Sequence, residues 1–465
     1  MVEGPSAPFD TPAVEGAGGR QAGGEIGEIL AVGSRAAGSS RIQIEGGARI
    51  GEPILRWRSR AHSVGEIEQE LARIWAEPNL DTLMDGTPGR HIAARTSVMN
   101  LVVVARQPEL GERCAATIQQ LTGRHPSRTI ILSPADPDGP SWLDAAIQAH
   151  CVLPREDAPE TCAELIYLTV GGESGRHLAS VLAPLLVHDL PVTVWWPGEP
   201  PFATPQAREL LQAADRLVVD GSTWNGDGLD RLREMVSLLD GSRLAISDFA
   251  LTRQSRWREA IASIFDLPEF LPYLGSLRRI SVAYATHDES GAPGSTNVVK
   301  PVYHVAWLAS RLGYRVRQPL GPVREIARRP RGGSHPMSRG LEAIMRDGRH
   351  DIHALIRPVQ SPMPSGTTLR VELLADWRGS ELRADVTAVQ DSVHARVWLD
   401  GVEELDRAFP APRRTDVDLL AEAIEAGGRD PVTLGALRMA AELAGAEPPR
   451  APEADEPAEL AASGA

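Results

Sequence analysis

The first apolar pattern with a clear period begins at Ser63. In "SVGEIEQELARIWAE", Ile67, Leu71, Ile74 and Trp75 recur at helical intervals, and Ser63 with Glu66 has the form of a capping box. "RTSVMNLVVVAR" is an apolar run rich in β-branched residues, as in a strand covered on both faces. The helix "ERCAATIQQLTGRH" and the strands "RTIILSP" and "CAELIYLTV" come next. Between those two strands, "AAIQAHCVL" reads as a brief helix candidate with strand-like alternation at its end. The helix "GRHLASVLAPLLVHD", the strand "PVTVWW", the helix "PQARELLQAADR" and the strand "RLVVDGS" complete the series. Strands separated by helices in this way predict an α/β domain over residues 55–240, a mostly parallel sheet with helices on both faces.

From "DFALTRQSRWREAIASIFD" the texture changes. Helical spacing is expected at 252–265, 300–312, 338–347 and 416–426, interleaved irregularly with strands. "TLRVELLADW" and "ELRADVTAVQ", joined by "RGS", alternate apolar with polar and predict a hairpin, with "HARVWLDGV" as a third antiparallel strand. "RDPVTLGALRMAAELAG" closes the region as a helix. Residues 241–445 are therefore expected to form an α+β domain with an antiparallel sheet. No internal repeat is visible.

Outside these patterns lie two tails. Residues 1–54 are rich in Gly, Ala, Ser and Pro without periodicity, and 446–465 are acidic and Pro-rich, so both are expected to be disordered. The N-terminus has neither the basic start nor the apolar core of a signal peptide, and the longest lipid-like run, Leu178 to Val187, is about half a membrane span. A cytoplasmic, membrane-free protein is expected. The formal net charge of −14 opposes general affinity for nucleic acid. Lys300 is the chain's sole lysine. Cys114, Cys151 and Cys162 lack CxxC spacing, and the expectation is buried free thiols, with neither a disulfide framework nor a metal site.

Candidate chemistry begins at "VGGESGRH". Gly171, Gly172 and Gly175 would let the backbone approach a phosphate, and Arg176 and His177 would add charge. The turn is neither GxGxxG nor a P-loop, so a plain strand-to-helix turn remains the competing reading. Ser174 has half of a nucleophile elbow, but Arg176 stands where a second glycine should be. His350 and His353 share a spacing known from zinc sites, yet "GRHDIHALIRPV" alternates like a strand, which would place the two on opposite faces. Arg315, Arg317, Arg328 and Arg329 belong to an arginine-rich stretch that suits a sugar phosphate, an acidic partner or a solvated loop. Finally, Trp195, Trp196, Pro197 and Phe202 gather after the strand "PVTVWW", and Trp outnumbers Phe and Tyr by 10 to 6 and 5. Such a cluster suits packing, internal or against another chain. No catalytic constellation and no cofactor is read from these residues.

"VMNLVVV" (98–104), "HPSRTIIL" (125–132), "HLASVLAPLLVHDLPVTVWWPGEPPF" (177–202), "ADRLVVDGS" (214–222), "WREAIASIFD" and "TDVDLLAEAIEAGGRDPV" (415–432) together resemble the OpcA family of glucose-6-phosphate dehydrogenase assembly proteins. The resemblance runs in order over about residues 55–445. It implies a non-catalytic protein that binds glucose-6-phosphate dehydrogenase, promotes its active oligomer and so supports NADPH production by the pentose phosphate pathway. Some relatives respond to thiol redox state, but Cys114, Cys151 and Cys162 match no redox pair carried over by the resemblance. It supplies no site residues either. A sugar-phosphate- or nucleotide-binding module built on 171–177 is the alternative, and a small-molecule effector is compatible with both.

Overall fold

The apolar run before Arg106 becomes the centre of a nine-stranded sheet. The protein is described by a computed structural model over residues 50–446, apart from 77–93, 96, 137, 154, 156–160, 240–241, 288–295 and 324–339. The expected tails therefore lie almost wholly outside the described residues. The sheet contains β1 (Pro53–Ala61), β2 (Ala94–Arg95), β3 (Met99–Val104), β4 (Ser127–Pro134), β5 (Trp142–Val152), β6 (Thr161–Gly171), β7 (Val192–Trp196), β8 (Arg216–Val219) and β9 (Ala245–Asp248). Their order is β1-β5-β6-β4-β3-β7-β8-β9, with β2 beside β6.

From β6 to β9 every pair is parallel. Ranked by their appearance in the chain, these six lie third, second, first, fourth, fifth, sixth across the sheet. That is the order of a doubly wound dinucleotide-binding sheet, whose chain reverses direction between β3 and β7. Two expectations are corrected here. "AAIQAHCVL" is not a helix but most of β5, which runs antiparallel between β1 and β6. Also, order begins before Ser63, because β1 precedes the first helix.

That helix, α1 (Val64–Ala76), buries Ile67, Leu71 and Ile74 on its inner face. Its cap is shifted by one residue. The Glu66 amide donates to Ser63 Oγ at 3.3 Å, but the Glu66 carboxylate accepts from the His62 amide at 2.7 Å. One face of the sheet is covered by α2 (Pro108–Leu121). On the other lie α3 (Leu178–Leu182), α4 (Pro205–Gln212) and α5 (Leu229–Ser237). Pro184 follows α3 within a 3-10 turn, so the long helix expected over 175–189 is only a short one.

The second sheet has eight strands, ordered β11-β12-β13-β10-β14-β15-β16-β17. They are β10 (Leu277–Thr286), β11 (Arg315–Pro322), β12 (Leu341–Arg346), β13 (Asp351–Gln360), β14 (Thr368–Trp377), β15 (Ser380–Val389), β16 (Ser392–Leu399) and β17 (Val402–Pro410). All neighbours are antiparallel except β10 and β13. The expected hairpin is β14–β15, turning at Arg378 and Gly379, which both have positive φ. The expected helix at 338–347 is instead β12, where Leu341, Ala343 and Met345 alternate inward. The inner face, including Ile280, Leu373, Leu382 and Val397, meets α6 (Ser255–Phe265) and α7 (Val299–Arg311).

Two C-terminal helices tie the halves together. In α8 (Asp416–Glu425), a Thr415–Asp418 capping box starts the helix, and Leu419 and Leu420 join the core under α2. The last helix, α9 (Pro431–Leu443), packs against both α5 and α7. The first sheet does not stop at 240. It continues through β9, and its far face is completed by residues from the end of the chain.

Candidate functional site

The carboxyl ends of the parallel strands bring most of the candidate residues to one rim. The turn 171–177 follows β6, Trp195 and Trp196 end β7, and Val104 and Arg106 lie at and beyond the end of β3. Each feature must be tested for whether it offers surface or only fills space.

The glycine turn is occupied by its own chain. A Cβ at Gly171 would fall 2.2 Å from the Trp142 indole nitrogen, and one at Gly172 would fall 2.6 Å from the backbone of Gly139, Pro140 and Ser141. Gly172 also has φ +60, so both geometry and space demand glycine there. The amides that would cradle a phosphate have partners already. Gly172 N donates to Asp136 O at 3.0 Å, Glu173 N to Ser141 Oγ at 3.0 Å, and Gly175 N to Gly172 O at 2.9 Å. Glu173–Arg176 forms a single helical turn. Arg176 is held by Asp138 at 2.6 Å, and His177 faces Glu173 at 3.1 Å. Neighbouring carboxylates thus neutralise the charge expected to attract an anion, and the turn locks the 136–141 loop to β6. No hydrogen bond joins Ser174 to a base among the described residues.

The aromatic cluster is likewise internal. Trp195, Trp196 and Phe202 are only 3%, 5% and 1% exposed, which corrects their reading as partner contacts. The two tryptophans point to opposite faces of β7, as strand geometry requires. Trp195 packs toward Phe249, ring centroids 6.1 Å apart, beneath α2 and α8; Trp196 joins the core on the α3 and α4 side. Phe202 meets Trp224 edge-on at 6.4 Å. Pro197 is half-buried, and Glu199 fastens the segment to α5 by accepting from Arg231 Nε at 2.7 Å.

Of the arginine group, Arg315 and Arg317 are exposed on the edge strand β11, where Arg317 lies 3.5 Å from Asp351. Arg328 and Arg329 lie outside the described residues. His350 precedes β13 and His353 lies on it, paired with Glu342 at 2.8 Å. No group of metal-holding side chains occurs among the described residues.

The cysteine expectation is overturned. Cys151 and Cys162 lie directly opposite on β5 and β6, 4.0 Å apart at Cα, and are joined as a disulfide. Cys114 alone is free, and burial pushes its thiol up to about 12.

A polar cluster that the sequence did not signal sits at the ends of β8 and β9. Buried Asp248 accepts from Gly221 N at 2.9 Å, Ala250 N at 2.8 Å and Tyr303 Oη at 2.6 Å. Burial, aided by nearby Asp220, raises its carboxyl to about 6. Asp220 in turn holds Arg253 at 2.7 Å. Every oxygen of Asp248 has a donor, so the cluster serves to clamp α7 onto the first sheet. Tyr303 lies 55 residues after Asp248 and Gly221 lies 27 before it, so no local motif announces the cluster.

Known proteins similar to this chain agree with the sequence resemblance. The model of the glucose-6-phosphate dehydrogenase subunit N-terminal domain, OpcA type, matches residues 118–235, and that of the C-terminal domain matches 244–435, together more than half of the chain. The chain belongs to the OpcA family. An OpcA protein of Synechocystis sp., tied by its name to the OxPP cycle, is 28% identical over 193 residues, or 41% of this chain and 38% of that protein. The OpcA protein of Nostoc punctiforme is 24% identical over 254 residues, covering 54% and 49%. The chain thus aligns with less than half the length of either OpcA relative. Among solved structures, a 3-ketoreductase from Actinomadura kijaniata is similar at TM-score 0.39 and 11% identity over 75% of this chain and 96% of that one. That likeness is too loose to bear on activity. No helix among the described residues is long and apolar enough to cross a membrane.

Proposed function

We propose that this OpcA-family chain binds glucose-6-phosphate dehydrogenase as a non-catalytic partner and favours its active oligomer. The observation that carries the reading is the consecutive match of both dehydrogenase-subunit domain models, over 118–235 and 244–435. The geometry supports it in kind: the glycine turn, the tryptophan pair and the buried carboxylate cluster each have an internal structural role. A partner can raise an enzyme's activity without chemistry of its own by binding the competent state more tightly than the idle one.

The contact belongs on the second sheet. Its outward side chains form a charged mosaic in which Arg370 and Arg383 both hold Asp385 at 2.7 Å, and Trp398 stays half-buried beneath Arg383. At one edge of this face the exposed Arg315 and Arg317, the latter paired with Asp351, are placed to meet an acidic surface. Size-exclusion chromatography of the chain with the cognate dehydrogenase, followed by an activity assay on the peak, tests the reading. A heavier complex with raised dehydrogenase activity is expected. Separate elution with unchanged activity refutes it. Arg315→Glu with Arg317→Glu, both on exposed positions, should weaken the complex roughly tenfold at low salt and less at high salt, as surface charge pairs do.

A further inference from the structure

We propose a second binding site, for a phosphomonoester of sugar or nucleoside size, in the crevice at the reversal point of the first sheet. The chain turns back between β3 and β7, and open doubly wound sheets hold their ligands just beyond the strand ends at such a point. A crevice of about 330 Å³ opens there, bounded by Val104, Arg106, Arg176, Trp196, Thr204 and Gln206. The position comes from topology and the cavity from packing, and the two coincide.

The chemistry of the walls selects the ligand. Arg106 is exposed and has no hydrogen bond or ion pair with any described residue, while Arg176 reaches the same crevice from its pair with Asp138. A guanidinium fork matches the oxygens of a phosphate, and Arg106, unlike Arg176 with its carboxylate partners, is left free to offer one. The half-buried Pro134, Ala135 and Pro201 give an apolar floor for a ring, and the exposed Gln206 amide gives donors and acceptors for hydroxyls.

A dinucleotide does not fit this site. Its pyrophosphate would need glycines and free amides where β3 enters α2, but this turn reads Arg106-Gln107-Pro108. Pro108 has no N–H, and Gln107 makes no side-chain cap. Anion recognition has moved from backbone to side chains, and the volume suits one phosphorylated ring.

Calorimetry on the full chain without the dehydrogenase keeps this inference independent of the proposed docking. Glucose 6-phosphate and adenosine monophosphate are the probes, with glucose and adenosine as uncharged controls. At least one phosphate should bind saturably below millimolar concentration while its control does not, and the better probe tells sugar from nucleoside. Arg106→Ala should weaken that binding roughly ten- to a hundredfold, the loss of a charge-assisted hydrogen bond. Gln206→Trp, narrowing the mouth from an exposed helix position, should weaken it as well, whereas Arg256→Ala on α6 should not. Silence from both phosphates, or full-strength binding by Arg106→Ala or Gln206→Trp, overturns the inference.

Discussion

Trp196 fills the space between β7 and the helices at the crevice side, and Phe202 closes that space from the following loop. Removing a ring that large leaves a hole the surroundings cannot collapse into, so Trp196→Ala should cost about 3–5 kcal/mol of stability. Urea midpoints measure the loss. The folded fraction of the mutant should still bind dehydrogenase, since the ring has almost no surface to give. A lost complex with an unchanged urea midpoint would return Trp196 to the interface. The cysteines allow a sharper statement. Cys114 is buried with its thiol pushed up to about 12, so the nucleophilic thiolate is scarce at neutral pH. Iodoacetamide should leave the native protein unlabelled, label only Cys114 in the denatured unreduced chain, and reach all three cysteines after reduction. Mass spectrometry reads each count. Labelling at Cys151 or Cys162 without reductant would mean that the pair does not form.

At the scale of elements, legibility followed how locally each signal is written. Five of the six parallel strands and the helices α1, α2, α4 and α7 were readable because each carries its own signal within a dozen residues, whereas β9, only four residues long, lay beyond the expected boundary at 240. β5 was not. In Trp142–Val152, Ala145, Ile147 and Ala149 face the core while Asp144, Gln148 and His150 alternate with them, but the interspersed alanines are good helix formers and blur the period. Once β5 was missed, Cys151 and Cys162 lost the strand pairing that sets them face to face. β12 failed for a related reason: "LEAIMR" consists of good helix formers, and only pairing with β13 makes it a strand. Among site residues, the sequence located the rim of the first sheet but not what each residue does there, since burial and partnering are set by distant chain. The same non-locality yields a prediction. The first sheet needs β9 from beyond 240 and α8 from the far end, whose Leu419 and Leu420 are wholly buried against α2. A fragment ending at 240 should therefore bind hydrophobic dye and exchange its β3 and β4 amides rapidly, where the full chain protects them. Leu420→Ala in the full chain should cost about 2–5 kcal/mol. Protection in the fragment equal to that of the full chain would show that the first half folds by itself.

For the whole molecule, one core cluster runs from α1 through both sheets to α9, so a charge forced into either half is felt by the shared fold. Two histidines set the terms. Burial lowers His150 to about 4 and His304 to about 3, the latter helped by Arg258, and both His304 ring nitrogens lack a hydrogen-bond partner among the described residues. A base with a depressed folded pKa stabilises fully above its unfolded value of about 6.5, and that stability is lost as pH falls toward the folded value. Each histidine should therefore withdraw about 2 kcal/mol between pH 7 and pH 5. Asp248 works against them. Its carboxyl is raised to about 6, so its stability is fully present below the unfolded value of about 3.8 and is lost as pH rises through 6. On acidification it returns about 1 kcal/mol over the same interval, which leaves a net loss on the order of 3 kcal/mol. His304→Leu keeps the packing beside Trp257, 5.1 Å away, and removes one of the two groups that must be protonated on unfolding. Its urea midpoint should equal or exceed that of the parent at pH 7 and pull clearly ahead at pH 5, recovering about 2 kcal/mol of the acid loss. Parallel decline of parent and variant between the two pH values would remove His304 as a source of acid sensitivity and leave His150 to account for it alone.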